Sequence, residues 1–179
     1  MPKPTPAIVL STLADEHFGL SRAKAAALVE AATVCLHHNH HRSGVRLRVT
    51  GCRSTEPPLE FTAPDDKALR ANADLHEAVE DGATAVAIAV VTRITDYRVV
   101  ERSVKRTGID WWLGRSDGVF EARLEVSGIL AGPDKLDSRV DDKLRQMARS
   151  DGTGLPGYAA VVEFGAPQAR VVERAAEDP

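Results

Sequence analysis

Residues 97 to 129, YRVVERSVKRTGIDWWLGRSDGVFEARLEVSGI, read as three consecutive short strands with two carboxylates set inside them. Thr107-Gly108 and the stretch Gly114-Arg115-Ser116-Asp117-Gly118 supply turn chemistry between β-branched and aromatic runs. In the third strand, alternation puts Phe120, Ala122, Leu124 and Val126 on one face and Glu121, Arg123, Glu125 and Ser127 on the other. Glu125 therefore lies mid-strand, flanked on its face by Arg123 and Ser127. Asp110 stands between Ile109 and the bulky Trp111-Trp112-Leu113 run, where an unpaired charge is costly. An acid there requires a cation. The adjacent tryptophans face opposite sides of their strand, so one enters the core and the other is left to meet a base or a partner.

The chain is long enough, at 179 residues, to bury a core of its own, and a single domain over 1–179 is expected. Residues 1–62 read as N-terminal helices and strands, 63–172 as the sheet-bearing core and 173–179 as an acidic tail. No apolar run approaches the roughly 18 residues of a membrane span, which excludes a helical membrane protein. The opening MPKPTPAIVL has no long apolar region before a small-residue cleavage site, so a cytoplasmic location is expected. Cys35 and Cys52 have neither metal spacing nor disulfide-scaffold density, and a reduced structural role is expected. A net charge of −3 gives no global attraction to nucleic acid. Such binding has to come from a local patch, and Arg102, Lys105 and Arg106 are the candidates.

Residues 1–7, with three prolines, read as a loose lead. A short helix is expected over Ser11 to Phe18, a turn at Gly19-Leu20, and a second helix capped by Ser21. That order has the outline of a helix-turn-helix, with Arg22 and Lys24 near the start of the second helix, although packing alone also accounts for it. The helix is expected to end in His37 to Arg42, so that His37 and His41, four apart, share a face able to hold zinc or nickel; a solvated helix end is the simpler reading. Val45 to Val49 alternates with Arg46 and Arg48, a half-exposed strand, and Leu59-Glu60-Phe61 suggests another. Pro64, Asp65 and Asp66 open a helix expected to run from about 64 to about 92. Its second half is apolar and expected against a sheet. Asp74, Glu77 and Asp81 are spaced to share one face of its first half, and Glu77 or Glu80 is the candidate to point into a cleft. A further helix from about Asp134 to Ser150 carries the apolar stripe Leu136, Val140, Leu144 and Met147. The glycine-rich loop Asp151 to Gly157 lacks the Lys-Ser/Thr ending of a phosphate loop and precedes a strand, YAAVVEF, with a last short strand at Ala169 to Val172.

An α/β (α+β) chain with a mixed central sheet flanked by helices follows. From residue 64 the order is helix, three strands, helix, strand, with Gly108-Ile109-Asp110 opening the second strand and Glu125-Val126-Ser127 on the third. This αβββαβ order and acid placement resemble the PD-(D/E)XK nuclease-like superfamily, the restriction-endonuclease-like core, over about half the chain. The resemblance implies Asp110 and Glu125 as Mg²⁺ ligands, Glu77 or Glu80 as the helical acid, and metal-assisted phosphodiester hydrolysis in a setting such as bacterial DNA defence or repair. The chain departs from the signature at Ser127, where the family's lysine would stand. Lys105 or Arg123 is expected to supply the missing cation, although an arginine is a poor base. The alternative is a non-catalytic binding or assembly protein on the same fold. Its acids would pair with Arg102, Lys105 or Arg123, and a protein partner or second copy would dock on Arg46 and Arg48, on Arg98 and Arg102, or on an exposed tryptophan.

Overall fold

The computed structural model describes residues 5–176, so parts of the expected lead (1–7) and tail (173–179) lie outside the described residues. Strand β1 (Ile8–Val9) leads into a 3-10 helix, Leu10–Asp15, rather than the α-helix expected over 11–18. The reason is a tether just beyond it: the N–H groups of Phe18 and Gly19 both donate to the Val99 carbonyl, at 3.0 and 3.1 Å, which pulls this stretch onto the sheet edge. Helix α1 (Arg22–His38) starts as expected at Ser21, whose Oγ accepts from the Lys24 N–H at 3.2 Å. It ends at His38, and His40 has φ 63, so His37 and His41 do not share a helical face. The His41 ring nitrogen Nε2 instead reaches the carbonyls of Phe164 and Gly165, at 2.9 and 3.1 Å.

The expected strand over 45–49 is two strands in two sheets. β2 (Val45–Arg46) joins a three-stranded sheet and β3 (Arg48–Gly51) the main one, with buried Leu47 at the switch. β4 (Pro58–Glu60) completes the small sheet in the order β1-β4-β2. The helix expected over 64–92 is likewise broken, into α2 (Asp66–Ala71) and α3 (Leu75–Ile94). Asx side chains compete with the helical backbone here. Asn72 Nδ2 donates to the Ala68 carbonyl at 3.0 Å and ends α2, and Asp74 Oδ1 accepts from the His76 N–H at 2.9 Å and caps α3. Asp74 thus stands outside the helix rather than on a face with Glu77 and Asp81.

Beyond α3 come β5 (Arg98–Arg102), β6 (Trp111–Gly114), β7 (Ala122–Ile129), α4 (Leu136–Met147), β8 (Gly157–Glu163) and β9 (Gln168–Arg174), the last longer than expected. The main sheet has the order β3-β9-β8-β7-β6-β5. β5, β6 and β7 are antiparallel neighbours, β7 and β8 pair in parallel, and β8 and β9 are antiparallel. The parallel pair needs a crossover, which α4 provides, and α4 consequently covers one face of the sheet. α3 covers the other, with α1 packed outside it. The result is a mixed α/β fold.

α3 is apolar nearly all round because it is sandwiched between the sheet and α1. The two helices approach so closely that a Cβ on Gly82 would lie 2.8 Å from the Ala32 Cα. α1 is thus a packing helix, its Arg22 and Lys24 paired loosely with Asp15 and Asp81 at 3.9 and 3.6 Å, and it lacks the α-helical partner of a helix-turn-helix. Among the described residues no helix is long and apolar enough to cross a membrane, and both cysteines are free thiols, Cys35 buried and Cys52 exposed.

Gly82→Leu is expected to cost about 2–3 kcal/mol in urea denaturation, because the backbone of α1 cannot give way as a side chain could. Gly152→Ala, whose added methyl meets nothing within 4 Å, is expected to change stability by less than about 0.5 kcal/mol.

Candidate functional site

The expected polar face of β7 is not a solvated face. Arg123 and Glu125 are 0% and 2% exposed, because α4 and the 3-10 helix after it (Ala148–Thr153) lie over them. Each has to be satisfied from those elements, since a buried charge without a partner is strongly unfavourable. Arg123 turns to the 3-10 helix, donating to the Met147 carbonyl at 3.2 Å, Ser150 Oγ at 2.8 Å and Asp151 Oδ1 at 3.2 Å. Asp151 also accepts from Arg174 Nε of β9 at 2.8 Å. Arg123 is therefore a buried tie between β7, α4 and β9 and does not supply the cation expected beside Glu125.

That cation is Lys143. Its Nζ donates to Glu125 Oε1 at 2.7 Å, and Gln146 Nε2 donates to the same oxygen at 2.8 Å. Arg139, one turn earlier on α4, donates to Ser127 Oγ at 3.1 Å. The position where the resemblance would have placed a lysine thus carries a hydroxyl that holds an arginine, and the amine arrives from the helix above. Arg139, Lys143 and Gln146 follow i, i+4, i+7 spacing, one position before Val140, Leu144 and Met147 of the apolar stripe. That spacing was a legible sign of a polar stripe running along the buried edge of α4.

Asp110 stands immediately before β6. Its N–H donates to the Leu124 carbonyl at 2.9 Å, and its Oδ2 accepts from the Val126 N–H at 2.9 Å. The side chain thus takes over an acceptor place beyond the Trp111↔Leu124 pair, and is held against β7 one residue from Glu125. The cation that the sequence demands for it is Arg102, at 3.3 Å from Oδ1, whose guanidinium also lies 4.8 Å from the Trp111 ring centroid. Trp111 is buried on the α3 side, while Trp112, on the opposite face, stacks on Phe120 at 4.9 Å.

Glu125 Oε2 is buried and has no hydrogen-bond partner. Burial pushes the Glu125 carboxyl up to about 7; the neighbouring Asp110 carboxylate pushes in the same direction, and Lys143 opposes both. A buried carboxyl beside a second carboxylate, with one of its oxygens lacking a hydrogen-bond partner, is an arrangement that a proton or a cation relieves.

The pair opens into a cleft of about 290 Å³, walled by Arg139, Lys143 and Gln146 of α4 on one side and by Glu80, Asp81 and Thr84 of α3 on the other. Of the two helical acids expected to point inward, Glu80 lines this cleft, whereas Glu77 is exposed and does not. A second recess of about 680 Å³ shares Arg102, Asp110, Glu125 and Gln146 with the cleft and extends along Lys105, Arg106 and Arg149. Lys105 thus lines the approach to the carboxylates without bonding to either. Among the described residues no three His, Cys, Asp or Glu side chains group closely enough to hold a metal ion by themselves. The donors present, Asp110 and Glu125 with Glu80 across the cleft, are hard oxygens of the kind Mg²⁺ takes, and that ion commonly uses one or two carboxylates and completes its shell with water and substrate phosphate.

The native state holds the Glu125 proton more tightly than the unfolded chain, whose ordinary value is 4.5. Glu125 therefore lowers stability as the pH rises from its unfolded value through about 7. Urea denaturation from about pH 5 to about pH 8 is expected to show that fall in the wild type and its loss in Glu125→Gln, which has no proton to release. Equal slopes in the two proteins would mean that Glu125 ionises normally. Comparison of the chain with protein-family models, with curated proteins and with solved structures finds no match to any of them.

Proposed function

We propose that this chain is a Mg²⁺-dependent phosphodiesterase of nuclease type, acting on nucleic acid, and that it shares the αβββαβ core of the PD-(D/E)XK nuclease-like superfamily. What carries the reading is the buried Glu125 carboxylate, its Oε1 held by Lys143 and Gln146 and its Oε2 left open beside Asp110. The element order from α3 to β8 supports it, with an acid entering the second of three antiparallel strands and another in the third.

Asp110 and Glu125 are the residues that would hold Mg²⁺, with Glu80 across the cleft in reach through water. Bound there, the ion would supply charge neutralisation at the scissile phosphate and a water of lowered pKa. The chain's own groups do the rest. Lys143 fixes the orientation of Glu125 and brings an ammonium to the place where negative charge grows on the phosphate, a role for which a compact, mobile amine suits better than a guanidinium. Arg139, anchored on Ser127, adds a second cation to the same wall. Arg102 pairs with Asp110, whose other carboxylate oxygen is held by the Val126 N–H of β7.

The same pairs favour a second reading. Asp110 with Arg102 and Glu125 with Lys143 already form two ion pairs, and a non-catalytic binding protein needs nothing more from them.

Titration calorimetry with Mg²⁺ and Mn²⁺ separates the two. Under the nuclease reading the wild type gives saturable binding that Glu125→Ala abolishes, and DNA or RNA cleavage falls by about 10²-fold or more in Asp110→Asn and in Lys143→Met. Lys143→Met is expected to keep its metal isotherm while losing kcat. Wild-type protein that neither titrates the ions nor cleaves DNA or RNA would leave the binding reading.

A further inference from the structure

Four cations gather around the recess beside the carboxylates: Arg102, Lys105 and Arg106 from β5 and the loop after it, and Arg149 from the 3-10 helix that follows α4. Among the described residues Lys105, Arg106 and Arg149 have no acidic partner, whereas Arg102 is engaged by Asp110. Unpaired cations crowded on one wall repel one another and gain most from a polyanion. At the rim of the same recess stands Val104, 73% exposed, far more than the other large apolar side chains that face solvent. A lone exposed valine needs no explanation, but this one sits among three free cations.

The segment that presents Val104 is held in shape. Ser103 Oγ and Thr107 Oγ1 lie 2.6 Å apart, Thr107 Oγ1 donates to the Val104 carbonyl at 3.0 Å, and the Ser103 N–H donates to the Asp110 carbonyl at 2.8 Å. Gly108, with φ +80, sits so close to α4 that a Cβ would lie 2.4 Å from the Gln146 carbonyl oxygen and 3.1 Å from the Arg149 Cβ, which seats the loop against the end of α4 and the 3-10 helix that carries Arg149. Arg106 takes φ 76, a left-handed conformation that costs a non-glycine residue roughly 1 kcal/mol. The chain thus keeps a long cation at a place where a glycine would be easier.

We propose that this loop is a nucleic-acid reader: Lys105, Arg106 and Arg149 hold successive phosphates of the strand leading away from the carboxylates, and Val104 makes an apolar contact with a base between them. It rests on the phosphodiesterase reading for the identity of the polymer, and adds where the strand lies and which side chain meets a base. Cations flanking an apolar tip are the arrangement by which proteins combine backbone neutralisation with base contact.

The test is binding without turnover. Fluorescence anisotropy of a labelled oligonucleotide, single-stranded and duplex, is measured in EDTA over a range of salt with the full chain. Wild type is expected to bind, with affinity falling as salt rises. Arg106→Gln together with Arg149→Gln reduces the salt slope by about one to two. Val104→Ser weakens binding about five- to tenfold with the slope unchanged, and Val104→Leu keeps it. Val119→Ser, at an exposed valine outside the recess, is the control and binds as wild type. A Val104→Ser affinity equal to wild type, an unchanged slope in the arginine double variant, or stronger loop-dependent binding to phosphatidylserine vesicles than to either oligonucleotide overturns the proposal. Because Asp110 and Glu125 are intact and no metal is present, loop-dependent binding without metal-dependent cleavage would sink only the phosphodiesterase reading. Cleavage by Val104→Ser with wild-type KM would sink only the loop.

Discussion

The parallel pairing of β7 with β8 is the constraint from which the rest follows. Two parallel neighbours require the chain to cross over the sheet, so a helix has to lie on the face of β7 that carries Arg123, Glu125 and Ser127. Once α4 lies there, Arg123 and Glu125 are buried and Ser127 is half-buried, and the helix and the turn after it carry their partners. Lys143 and Gln146 answer Glu125, Arg139 answers Ser127, and Ser150 and Asp151 answer Arg123. The polar lining of the cleft is thus a product of topology as much as of local sequence. On the other face, the close contact of α1 with α3 fixes where Glu80 and Asp81 stand, and so sets the opposite wall.

The fold class, the three-strand run and the acids were legible because strand alternation and turn residues are local signals. Asp110 even announced its need for a cation through its apolar neighbours. What the sequence could not display was which face of β7 would be roofed. Glu125 and Arg123 look like neighbours on one polar face, and a strand read alone makes Arg123 the nearest cation. The crossover separates them by giving Glu125 its partners on α4 and Arg123 its partners mainly in the 3-10 helix that follows. Lys143 stands eighteen residues further on in a helix whose clearest local signal is its apolar stripe, and nothing in the sequence ties it to Glu125. The helix boundaries failed for a different reason. Asn72 and Asp74 compete with the backbone through their side chains, and a tether from Phe18 and Gly19 to Val99 overrides local helical preference.

Charge is arranged unevenly around the site. The wall made by α3 brings Glu80 and Asp81, that made by α4 brings Arg139 and Lys143, and the loop side is cationic apart from the two central acids. A chain of net charge −3 can therefore offer a polyanion a route in from one direction while repelling it from the other. Under the phosphodiesterase reading proposed above, this asymmetry would orient an approaching strand before any specific contact forms.

Asp151 accepts from Arg123 in the middle of the sheet and from Arg174 at the end of β9. One carboxylate thereby joins the strand that bears Glu125 to the last strand of the described chain. During synthesis β7 and α4 emerge well before residue 174, and until then the buried guanidinium shares its acid with no second arginine and β8 lacks its antiparallel neighbour. The anchoring of the buried guanidinium beside the site is thus complete only once the sheet has received β9.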